Sequence, residues 1–174
     1  MDKGKLYFLS DEYFNKFKGQ KLLNNKEDGN KRPCYFSFPD DKYKDIYWMV
    51  PVSSKVDKFE KEYNKSIQKY GLCDKISFGY LKGEKNAFVL QNMCPIIEKY
   101  ILNEYCYKGT AKPITIPNDL KKEINAKARK LIRKAENGTC IPFTDIIYMR
   151  NNLLEELEML KEVAITKEIP IAKN

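Results

Sequence analysis

Short apolar and aromatic runs broken by turn residues dominate the first hundred positions, and residues 6–9, 34–38, 46–52, 76–81 and 87–91 read as strands. Pro39-Asp40-Asp41-Lys42 joins the second and third runs as an antiparallel hairpin, and Lys82-Gly83-Glu84-Lys85-Asn86 joins the last two. Ser10, followed by Asp11 and Glu12, reads as the N-cap and acidic first turn of a short helix to residue 18. Val56, Phe59, Tyr63, Ile67 and Tyr70 recur at three- and four-residue steps, which predicts a helix capped by Ser53 or Ser54 and stopped by Gly71. Residues 19–31, with Asn24-Asn25 and Asp28-Gly29-Asn30, predict a mobile polar loop before the sheet. Residues 95–105 fit a strand or a short helix equally well.

The last third changes period. Pro117-Asn118-Asp119 opens a long helix with Leu120, Ile124, Ala128, Leu131 and Ala135 on its apolar line, closed by Asn137-Gly138. Thr144 and Asp145 cap a final helix with Ile146, Ile147, Leu153, Leu154, Leu157 and Leu160 inside, which also carries Glu155, Glu156, Glu158 and Glu162. The tail from residue 166 is expected to fray. The whole, residues 1–174, reads as a single α+β domain: a mostly antiparallel sheet with a helical C-terminal third.

Composition narrows the chemistry. Hydrophobic residues make up 43% of the 174 positions, enough for a core without disulfides or metals. The formal charge of +8 favours polyanionic partners. No stretch approaches the roughly 18 apolar residues of a membrane span, and no signal-peptide pattern opens the chain, so a cytoplasmic protein with no membrane contact is expected. Cys34, Cys73, Cys94, Cys106 and Cys140 are odd in number and show no C-x-x-C pair, so reduced and mostly buried thiols are expected. The chain has no histidine. That removes Ser-His-Asp and Cys-His catalysis, zinc-hydrolase sites and His-pair ribonuclease chemistry together.

Two segments carry candidate chemistry. Ser53-Ser54-Lys55 follows a buried strand and precedes a helix, where first-turn N–H groups, the helix dipole and an ammonium suit a phosphate; the plain alternative is a capping serine beside a solvated lysine. Lys121, Lys122, Lys127, Arg129, Lys130, Arg133 and Lys134 oppose Asp119 and Glu123 on the long helix, whose outer face either tracks a phosphate backbone or is an ordinary solvated face.

The order of these pieces resembles the toxin family of type III toxin-antitoxin systems, the ToxN, AbiQ and CptN group. Four segments carry the resemblance: residues 5–13, with Tyr13 after a short polar turn; Arg32-Pro33 before a strand; Pro51-Val52-Ser53-Ser54; and Gln91-Asn92-Met93-Cys94-Pro95-Ile96-Ile97. The family often places Pro-Lys after its serine, whereas Ser54 is followed directly by Lys55. The resemblance implies a strongly twisted antiparallel sheet of the MazF/Kid barrel type flanked by helices. It further implies an endoribonuclease that needs no cofactor or metal and in which the RNA 2'-hydroxyl attacks its own phosphodiester, leaving 2',3'-cyclic phosphate and 5'-hydroxyl ends. Ser53, Ser54, Lys55 and Arg32 are then the expected catalytic residues. Tyr13, Lys58, Lys121, Lys127, Arg129, Lys130 and Arg133 are the expected RNA contacts. The implied partners are target mRNA and a repeated pseudoknot RNA antitoxin that forms a hetero-oligomer with the toxin, in a phage-defence setting. A non-catalytic RNA-binding module and a MazF-like toxin with a protein antitoxin stand as alternatives.

Overall fold

Alternation along two central strands decides the architecture. The computed structural model describes residues 4–27, 29–139 and 144–168. In strands β4 (Cys34–Pro39) and β5 (Tyr47–Ser53), Tyr35, Phe38, Trp48, Val50 and Val52 enter one apolar cluster, while Cys34, Phe36 and Met49 enter another. Successive strand side chains point to opposite faces, so this pair is buried on both sides and needs a cover on each.

β1 (Leu6–Leu9) pairs with β4 on one side and with β9 (Ile101–Glu104) on the other. β5 is shared: its first half pairs with β8 (Cys94–Ile96) and its end with β7 (Glu84–Phe88), which pairs in turn with β6 (Ser77–Leu81). Every pairing is antiparallel, and the main path runs β6-β7-β5-β4-β1-β9. Among the described residues β6 and β9 are edges that do not pair with each other, so the sheet stays open and the barrel closure implied by the resemblance is not seen.

Helix α3 (Asn118–Glu136) covers the first face with Leu120, Ile124, Ala128 and Leu131, as the spacing predicts; Ile132 joins them and Ala135 is only half-buried. Each fully buried Leu or Ile contributes roughly 1.5–3 kcal/mol. The second face is covered by α1 (Asp11–Lys16), through Tyr13, and by α4 (Ile146–Glu168), through Met149 and Leu153. Helix α2 (Val56–Tyr70) leans on the far end of the sheet by Phe59, packed with Cys73, Ile76, Ala87 and Val89.

Several expectations change in three dimensions. On α2 only Phe59 is buried, and Ile67 and Tyr70 of the predicted stripe are exposed, because the helix outruns the sheet it rests on. Leu160 is likewise exposed on α4. The loop expected at 19–31 contains a small hairpin, β2 (Lys26–Glu27) against β3 (Asn30–Lys31). Residues 95–105 combine both options as β8, a short helical turn at Glu98–Tyr100, and β9. Cys34, Cys73, Cys94 and Cys106 are free thiols, the first three buried; Cys140 and the tail beyond 168 lie outside the described residues. No described helix is long and apolar enough to cross a membrane.

Charge fixes α4 to the sheet. The Glu156 carboxylate accepts from Lys99 (2.9 Å) and from the Tyr100 hydroxyl (2.8 Å), with Lys16 at 3.1 Å. Burial pushes its carboxyl up, but the hydrogen bonds from Lys99, Tyr100 and Lys16 more than offset this and hold it below the usual glutamate range. A carboxylate depressed in the folded state stabilises above its unfolded pKa and loses that contribution as pH falls through the folded value. Glu156→Gln should therefore lower the thermal midpoint at pH 7 and flatten the stability loss below about pH 4.3. Melting curves at several pH values check both; an unchanged acid limb would show that the cluster contributes nothing.

Candidate functional site

Antiparallel pairing brings the two candidate segments together. Cys34 lies opposite Pro51, so Arg32, two residues before Cys34, comes beside the end of β5. Its guanidinium donates from Nη1 to Val52 O (2.8 Å) and from Nε to Asn24 O (2.9 Å), and Val52 N donates to Pro33 O (3.0 Å). Arg32 is 6% exposed. Its field is felt at Cys34: burial first and Cys94 second push that thiol up, and Arg32 pulls against them.

Two cavities meet on Arg32. One, of about 290 Å³, is lined by Lys31, Arg32, Ser54, Lys82, Glu84, Tyr105 and neighbours. The other, of about 270 Å³, is lined by Asn24, Lys26, Arg32, Ser53, Lys55, Lys58 and neighbours. Among the described residues, five lysines and an arginine thus line the pair against the carboxylate of Glu84. Their summed field draws phosphate, and the partial enclosure reduces screening.

The serines divide between the cavities. Ser53 is 2% exposed, and its Oγ accepts the N–H of Lys55 at 3.2 Å, shaping the turn. Neither serine occupies the capping position of α2: that position is Lys55, whose side chain does not cap the helix, so the expected serine cap is corrected by one residue. At the start of α2 the Val56 N–H donates to Ser54 O (2.8 Å), and the first turn presents the positive end of the helix dipole, which favours an anion. Ser54 and Lys55 are exposed, Ser54 in the first cavity and Lys55 in the second. Lys58 is one turn into α2, its Nζ 5.4 Å from the Phe59 ring centroid.

Two expected RNA contacts are placed differently. Tyr13 is fully buried, its hydroxyl donating to Pro95 O at 2.6 Å, and it packs on Phe17 and Tyr100; a ring so enclosed cannot stack on a base. Desolvation first, with Cys94 next, pushes its hydroxyl well above the usual tyrosine range. Lys127 bridges α3 to β6, its Nζ donating to Ile76 O (2.9 Å), Ser77 Oγ (3.1 Å) and Glu123 (2.7 Å), so its charge is spent inside the fold. Of the other α3 positions, Arg129 pairs with Asp41 and Lys130 with Asp74 while keeping 41% and 43% of their side chains exposed. Lys121 lies against Gly4, and Arg133 is exposed.

Sequence reasoning missed Lys26, Lys31, Lys82 and Tyr105. Lys82 Nζ stands 4.3 Å from the Tyr105 ring centroid, and Lys82 occupies the left-handed region (φ 53°) in the β6–β7 turn. The one local signal was the Lys82-Gly83 dipeptide, which marks a tight turn but not the cavity it borders.

The arrangement defines an open α+β sheet with a cationic double cleft at one end, a site chemically suited to holding a phosphodiester chain. No protein-family model matches the sequence, and no curated protein is similar to it. Solved structures do match the fold. The chain superposes on AbiQ, described as a lactococcal anti-phage endoribonuclease belonging to the type-III toxin-antitoxin system, with TM-score 0.68 at 13% identity, covering 90% of this chain and 99% of that one. A structure from work on selective toxin inhibition by a non-coding RNA pseudoknot in bacterial type III systems gives TM-score 0.64 at 19% identity, over 90% and 99%. A third, from work on a processed non-coding RNA that regulates a bacterial antiviral system, gives 0.61 at 14%, over 84% and 95%. At these identities the likeness establishes the shared fold.

Proposed function

We propose that the chain is a cytoplasmic, metal-independent endoribonuclease toxin of a type III system, acting on mRNA and held inactive by a repeated pseudoknot RNA that it also processes. The observation that carries this reading is the convergence of two cationic cavities on buried Arg32, beside Ser54 and the start of α2. The fold shared with AbiQ, itself described as an anti-phage endoribonuclease, supports it. The pseudoknot-inhibited toxin structure of the same fold supports the RNA antitoxin.

The substrate's 2'-hydroxyl attacks the adjacent phosphorus, the P–O5' bond breaks, and a 2',3'-cyclic phosphate and a 5'-hydroxyl result. The nucleophile belongs to the RNA, so the protein has to orient the strand in line, offset charge on the phosphorane-like transition state and exchange protons. Arg32, its guanidinium held by two carbonyl oxygens, is the candidate to offset that charge. Ser54 and the α2 amides hold phosphate oxygens, and Ser53 shapes the turn that presents them. Lys55, with Lys58 behind it, is the candidate for proton exchange.

The test is cleavage of a long RNA by purified, RNA-free protein in EDTA, with the ends identified. Cyclic-phosphate ends that persist in EDTA and fall in Ser54→Ala support the reading. Intact RNA from folded protein favours the non-catalytic binding module. For the antitoxin, charge reversal at Arg129, Lys130 and Arg133 should weaken pseudoknot binding and lower the slope of log K against log salt by about 1 for each phosphate that is no longer neutralised. An unchanged slope would place the antitoxin elsewhere.

A further inference from the structure

A third cavity, of about 380 Å³, opens at the opposite end of the β4–β5 hairpin, beneath α3. Phe38 and Trp48 are cross-strand partners beneath it and, with Ile132, are buried at its base, only 3%, 1% and 8% exposed. The Arg129 guanidinium lies 4.0 Å from the Phe38 ring centroid and pairs with Asp41 at the rim. Asp40 is occupied within the fold, accepting from Trp48 Nε1 (3.0 Å) and from the backbone N–H groups of Lys42 (2.9 Å) and Tyr43 (3.0 Å). What faces outward is therefore Arg129, Arg133 and Lys42 with the carboxylates of Asp41 and Glu136, 76% and 42% exposed, the first paired with Arg129 and the second with Arg150 (2.7 Å).

A bare phosphate is poorly served by a mouth with two carboxylates. A flat heterocycle is well served: it stacks on the Arg129 guanidinium, itself seated on the Phe38 ring, and meets donors and acceptors at its edges. Among the four RNA bases, guanine places two neighbouring N–H groups, N1–H and N2–H, on one edge and the acceptors O6 and N7 on another. A carboxylate accepts the first pair and an arginine fork donates to the second.

We propose that this cavity binds a guanine base of the same RNA strand whose scissile phosphate occupies the Arg32 site, an inference that rests on the ribonuclease reading for its substrate. Six residues of strand separate Arg32 from Phe38, on the order of 20 Å at about 3.3 Å per residue, so the base lies some nucleotides from the cut and sets its sequence context.

Trp48 is the chain's only tryptophan, so its emission reports occupation of the cavity. Titrating the full chain with guanosine monophosphate should give a saturable change, about tenfold tighter than with the adenosine, cytidine or uridine nucleotides. Guanosine itself should reproduce it and inorganic phosphate should not. Arg133→Glu, at an exposed position, should abolish the response, while Ser54→Ala should keep it. No response in the parent, equal responses to all four nucleotides, or a response to phosphate alone overturns the proposal whether or not the protein cleaves RNA. Conversely, a guanosine response in a protein that fails to cleave sinks the ribonuclease reading and leaves the base site standing.

Discussion

Arg32→Ala should cleave RNA about a hundredfold or more slowly than the parent, the size of effect seen when a preorganised donor to a developing oxyanion is removed. The loss should fall on the rate of bound substrate rather than on binding, because the neighbouring lysines still draw the polyanion into both cavities. Arg32→Lys should recover only part of the activity: an ammonium restores the charge, but its donors do not form the planar fork that spans Val52 O, Asn24 O and a phosphate together. The alanine variant also leaves those carbonyls short of a donor, a penalty of about 1–3 kcal/mol. Single-turnover kinetics should therefore accompany a melting curve. Parental rates in folded Arg32→Ala would remove this end of the sheet from consideration as the active site.

Asp40→Ala should produce the largest loss of stability of any change considered, about 3–5 kcal/mol, the range for removing one member of a buried ion pair. Asp40 is 3% exposed and Arg150 is 9% exposed. The carboxylate satisfies Trp48 Nε1, two backbone N–H groups and, at 3.4 Å, Arg150, while Arg150 also reaches Glu136 at 2.7 Å. Its removal would orphan a buried indole N–H and weaken the tie between the β4–β5 turn, α3 and α4. A fall in thermal midpoint on the order of 10 °C is expected. Asp40→Asn keeps an acceptor for the indole but loses the charge opposite Arg150, and should fall between the parent and the alanine variant. A fall of only a degree or two for Asp40→Ala would show that Glu136 alone is sufficient for Arg150.

These two residues also show where sequence reading succeeds and where it stops. Asp40 was legible as a turn residue, because Pro-Asp-Asp-Lys between two apolar runs has a local explanation. Its second task, receiving Arg150 from 110 positions away, was not. Arg32 was legible through its place before a strand in a family resemblance, yet its burial and its carbonyl partners depend on pairing with β5.

By itself the sequence determined the α+β class, the central hairpins, the apolar line of α3 and the absence of histidine chemistry, since each follows from local periodicity, turn propensity or composition. Tertiary structure alone decided which charges gather in the clefts. Lys127 is consumed by Glu123 and Ser77, whereas Lys26, Lys31 and Lys82, unremarkable in the chain, line the cavities around Arg32. It also decided that Tyr13 is core and that the sheet stays open. The physical reason is range: periodicity reports what a residue's neighbours in sequence require, but a lysine's electrostatic role depends on carboxylates and clefts that only strand pairing and helix docking bring within a few ångströms.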